Sequence, residues 1–102
     1  MMEKRTDPLP AIFVPYAEFF DEDMGAKVPG SISVSDEDGR WLYGCPCGCG
    51  TAGALRVAAG EKPAQSPSWL WNGSTEKPTL TPSVHHVGHW HGWLTEGVWL
   101  SC

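Results

Sequence analysis

The sequence is poor in positive charge and nowhere concentrates it. Seven Lys and Arg are scattered among twelve Asp and Glu, for a formal net charge of −5. Nucleic-acid binders draw most of their affinity from basic patches on phosphates, so a nucleic-acid partner is not expected. No apolar run approaches the ~18 residues of a membrane-spanning helix. The opening MMEKRTDPLP lacks the apolar segment of a secretion signal. The expected setting is a reducing cytoplasm. There, clustered cysteines read as metal ligands more often than as disulfides. No internal repeat or low-complexity tract occurs. Also missing are H-E-x-x-H and an H-x-E followed by P-C-x-x-C, which removes the common zinc-protease and zinc-deaminase signatures.

What is present suits one small domain. A chain of 102 residues buries a modest fraction of its surface, so a staple would help it. Six tryptophans compensate, because each large ring buries much apolar area. They are read as core, with Trp69 and Trp71 kept open as an exposed interface pair. Residues 1–30 are read as an N-terminal arm, loose over the first ten residues. Within it PYAEFFDEDMG carries one possible short helix, with Pro15 at its start and Gly25 at its stop. From residue 31 the pattern turns to strands. SISVS and RWLYG flank the turn DEDG as a hairpin, ALRVA is a strand, and GEKPAQSPS is a loop. WLW at 69–71 puts two Trp rings on one face, and Asn72-Gly73 turns the chain. PTLTPSVHH is extended, since Pro82 forbids a regular helix. WHGWL and VWLS form a second hairpin, with Gly97 suited to a left-handed turn. The expected fold is a mainly β, small antiparallel domain over residues 31–102, stapled by a zinc knuckle.

The knuckle is CPCGCG, residues 45–50. Alternate cysteines on an extended strand point the same way. The outer two would then stand about 13 Å apart at ~3.3 Å per residue. Tetrahedral zinc, with Zn–S near ~2.3 Å, requires a curl instead. Pro46 fixes one φ, while Gly48 and Gly50 open conformations closed to other residues. Cys45, Cys47 and Cys49 are therefore candidate ligands. The complement comes from the four histidines, His85, His86, His89 and His91, all within seven residues, or from Cys102. Thiolate with imidazole favours Zn2+ over an iron–sulfur cluster, and the reducing setting disfavours a disulfide.

The ordered motifs CPCGCG, PTLTPSV and HGWLTEGVW resemble a family of small bacterial, phage and prophage proteins of unknown function. Some of these carry the label "ammonia monooxygenase". Nothing in this short chain supports that label, since it has no copper-enzyme or membrane signature. The resemblance covers about residues 30–102 and implies a zinc-binding β domain in a phage or mobile-element setting. It carries Cys45, Cys47 and Cys49 over as ligands. Its C-x-x-H element matches His91, with Gly88 where the family has Cys, and His89 is the neighbouring substitute.

A thiolate-rich site without a catalytic carboxylate motif predicts a scaffold rather than an enzyme. The expected function is a zinc-stapled module that binds a protein, such as an inhibitor of a host or defence protein. Acidic Glu18, Asp21, Glu22 and Asp23 would supply its contacts. The alternative is a small metalloenzyme with an open zinc, for which Glu96 is the acid nearest the histidines.

Overall fold

In the computed structural model the described residues are 5–20, 28–35, 39–61, 64 and 67–101. Among these described residues there are ten strands: β1 (Leu9–Pro10), β2 (Ile12–Phe13), β3 (Ser31–Val34), β4 (Trp41–Gly44), β5 (Ala52–Leu55), β6 (Val57–Ala59), β7 (Trp69–Trp71), β8 (Leu80–His86), β9 (Trp90–Thr95) and β10 (Val98–Ser101). One sheet runs β1-β10-β9-β8-β7-β6 and the other β2-β3-β4-β5. The mainly β reading holds. The sheets face each other across one core, with Ile32, Trp41, Tyr43 and Leu55 from one meeting Trp69, Leu80, Val84, Trp90, Leu94 and Trp99 from the other. No helix among the described residues is long and apolar enough to cross a membrane.

The expected single strand ALRVA is broken at Arg56. Leu55 ends β5 in the smaller sheet, and Val57 starts β6 in the larger one. The chain makes the same crossing at Ala11, between β1 and β2. Residues 9–13 were expected in the arm, yet they add a strand to each sheet. Leu9 pairs with Trp99, and Ile12 with Ser31. Of the expected helix, the described part is a three-residue 3-10 turn, Tyr16–Glu18. Asp21, Glu22 and Asp23 lie outside the described residues, as does most of the DEDG turn.

The tryptophans divide by strand parity. Trp41, Trp69, Trp90 and Trp99 are buried, and Trp71 packs edge-on to Trp41 at 5.1 Å between ring centroids. Trp93 stays 44% exposed. On β9 the burial alternates, so Trp90, Gly92 and Leu94 point inward while His91, Trp93 and Thr95 point outward. The hairpin to β10 turns at Glu96 and Gly97, both with positive φ, as a tight turn of that hand requires.

Gly92 is a packing requirement. A Cβ there would meet the Leu100 carbonyl oxygen and the Trp90 ring. Neither backbone nor a fully buried indole has room to yield. Gly92→Ala should therefore cost at least ~3 kcal/mol and lower Tm by more than ~10 °C in a thermal melt. A melt unchanged from wild type would show that the hairpin is looser than described.

Candidate functional site: a cysteine knuckle and a Ser–His pair

The knuckle follows directly from β4. Trp41 and Tyr43 point into the core, and Cys45 continues that face and is buried with them. The chain then curls. Gly48 N donates to Cys45 O at 3.0 Å, and Cys45 N donates to Thr51 O at 3.0 Å. Gly48 and Gly50 sit at φ +84° and +81°, the left-handed region that glycine enters without a Cβ clash. The three Sγ atoms consequently lie within 4.8 Å of one another, with Cys45 to Cys47 at 3.3 Å. None of the three is in a disulfide.

Their electrostatics differ with depth. Burial pushes the Cys45 thiol up to about 12. Burial also raises Cys49, but hydrogen bonds from Thr51, at 2.8 Å, and from its neighbouring cysteines bring it down to about 7. Burial first, then the charges of Cys45 and Cys49, push the Tyr43 phenol well above its ordinary range. Three convergent thiols are a donor set that fits a soft or borderline metal ion, with one position left for a further ligand.

Neither His89 nor His91 joins that cluster among the described residues. His89 closes the turn after β8 and stacks on His86, with ring centroids 4.7 Å apart. His86 lies edge-on to Tyr43, and its Nδ1 is buried without a hydrogen-bond partner. Burial, then the adjacent His89 and His85 imidazoles, lower its pKa. Cys102 lies outside the described residues.

His91 is engaged elsewhere. Its Nε2 lies 3.0 Å from Ser83 Oγ, and its ring is 4.5 Å from that of His85, its partner across the ladder. Ser83 reaches it because β8 is irregular. Leu80 pairs with Leu94 and Val84 with Gly92, so Thr81, Pro82 and Ser83 face Trp93 alone. Such a bulge twists the strand and re-aims a side chain. The Trp69 indole fixes the result, donating Nε1–H to Ser83 O at 3.1 Å. Ser83 and His91 are half-buried, and His85 is exposed. With the His91 proton on Nδ1, its Nε2 accepts the Ser83 hydroxyl. That is the arrangement of a serine nucleophile with its base.

Sequence reasoning missed Ser83. The signal was available in the hairpin register. A three-residue turn at 87–89 pairs 85 with 91 and sets 83 diagonally from 91, within side-chain reach.

A hydroxyl hydrogen-bonded to an imidazole is the pair of groups that serine hydrolases use for nucleophile and base. The chain belongs to the family described as bacterial ubiquitination-like system serine protease (BubE), whose model it matches over residues 16–102. No curated protein and no solved structure matches it. The match overturns the expectation that the chain is not an enzyme. That expectation weighed only metal and carboxylate chemistry, and it left the serine of PTLTPSV out of account. The family's description names a serine protease of a bacterial ubiquitination-like system.

Proposed function

We propose that this chain is a serine protease of a bacterial ubiquitination-like system, with Ser83 as nucleophile and His91 as its general base. The observation that carries the reading is the 3.0 Å contact between Ser83 Oγ and His91 Nε2 on an accessible face. His91 takes the hydroxyl proton as Ser83 Oγ adds to the carbonyl carbon of a peptide bond. His91 then gives that proton to the departing amine, leaving an acyl-enzyme. Water, deprotonated by the same imidazole, hydrolyses the ester and restores Ser83.

The expected protein partner becomes a protein substrate in this reading. The knuckle of Cys45, Cys47 and Cys49 holds Zn2+ as a staple, and no step passes through it. The three thiols suit a bacterial cytoplasm, which keeps them reduced.

The test is covalent capture. A fluorophosphonate should label the wild-type protein at Ser83, located by peptide mass spectrometry, and His91→Ala should suppress the labelling. Labelling at another serine, or none at all, would remove the proposed nucleophile.

A further inference from the structure

Three outward-facing side chains form a row beside the Ser–His pair. Leu70 on β7 pairs with Thr81 on β8. Trp93 on β9 faces the bulge that holds Thr81 and Ser83. Their inward neighbours Trp69, Leu80 and Leu94 are in the core, so the row lies on the opposite, accessible face of the sheet. It carries the 44%-exposed Trp93. A cleft of about 430 Å³ opens at its Leu70 end, lined also by Gly60, Trp71, Asn72 and Thr79. That volume falls within the ~300–1,000 Å³ usual for side-chain and small-ligand sites.

The side-chain polar groups of Trp71, Asn72 and Thr79 in the cleft are already used within the protein. Asn72 Oδ1 accepts from the amides of Ser74 and Thr79, both at 3.1 Å, and its Nδ2 donates to Lys77 O at 3.1 Å. Trp71 Nε1 donates to Ser74 O at 2.9 Å. Thr79 Oγ1 accepts from the Glu96 amide at 2.9 Å. What the cleft offers an incoming group is apolar surface from Leu70 and Trp71, with the Thr81 hydroxyl at its edge. A charged group entering it would lose water and meet no charged residue in the lining.

We propose that Leu70, Thr81 and Trp93 form a recognition row for an apolar side chain of the peptide substrate. This rests on the reading of Ser83 as nucleophile. Thr81 lies two residues before Ser83, at most about 7 Å away along the chain. An extended substrate covers that distance in about two residues, so the recognised side chain lies within three residues of the scissile bond. Trp93 walls the row on the far side from the cleft and turns the substrate backbone across Ser83.

The experiment is a peptide library varied at one position at a time on either side of the scissile bond. One position should favour Leu, Met or Phe over Asp and Lys by about tenfold or more in kcat/KM, as apolar pockets discriminate. Leu70→Glu should reverse this, cutting the Leu peptide at least about tenfold more slowly and raising cleavage of the Lys peptide. Only a folded enzyme can exchange one preference for another. Thr81→Glu, at an exposed position, repeats the test should Leu70→Glu fail to fold. Fluorophosphonate labelling separates the two levels of failure. Labelling at Ser83 with a flat preference at every position overturns the recognition row alone. Absence of labelling overturns the nucleophile and the row with it. A preference that neither charged variant reverses assigns the selection to another surface and also overturns the row.

Discussion

Ser83→Ala should abolish peptide hydrolysis, lowering kcat/KM by at least about three orders of magnitude while leaving the fold intact. Removing the nucleophile of a Ser–His unit costs ~10⁴ to 10⁶ in rate in well-assembled proteases. A figure below that range is used here because His91 faces another imidazole, His85, rather than a carboxylate. His91→Ala should cost about as much. The double variant should be little worse than either single one, since nucleophile and base act as a unit. Stability should barely move. The Ser83 side chain is half-buried and bonds to His91, and one such bond contributes only about 1 kcal/mol. The bulge itself is held by the Ser83 carbonyl, which Ser83→Ala retains for the Trp69 indole. Steady-state cleavage and a thermal melt on the same preparation check both halves. Full activity in Ser83→Ala would end the assignment. Lost activity with a melt lowered by more than ~10 °C would instead show that the hydroxyl holds the bulge.

Much of the fold was legible because strand alternation and turn chemistry are local. The RWLYG strand, PTLTPSVHH, and the hairpin turning at Gly97 all appear in the expected places. So does the curl of CPCGCG, since two glycines and a proline on alternate thiols leave few other conformations. What escaped was non-local. Arg56 carries no turn signal, yet the chain changes sheets there, because Leu55 and Val57 find their ladders in different sheets. The first strand was hidden in a proline-bearing segment whose pairing partner lies at the far end of the chain. The histidines part from the cysteines for a related reason. Four histidines beside three cysteines look like one ligand set in one dimension. In three, His91 turns outward from the sheet and Cys45 turns inward, so the two chemistries separate onto different faces.

That separation leads to the expected result for the metal. Protein purified without added metal should carry close to one zinc per chain, bound at Cys45, Cys47 and Cys49. Its removal should unfold the domain or lower Tm by more than ~20 °C. Cys45 sits in the core cluster between the sheets, and Cys47 packs against that cluster. The knuckle therefore ties the end of β4 to the start of β5, the edge strand of the smaller sheet. Structural zinc contributes ~10 kcal/mol or more in small domains, against a typical net stability of ~5–15 kcal/mol. Even half of that contribution corresponds to the shift given above for a chain of this size. Cys45→Ser should be at least as damaging as Cys49→Ser, because it also leaves a hydroxyl in an apolar site, whereas Cys49 is exposed. His91→Ala is the informative control. The structure commits this side chain to Ser83, so the variant should lose hydrolysis and keep its metal. Elemental analysis with thermal melts, before and after a strong chelator, reads all of these at once. Metal lost in His91→Ala would return that residue to the ligand set. A metal-free protein with an unchanged melt would show that the three thiols fold the knuckle without an ion.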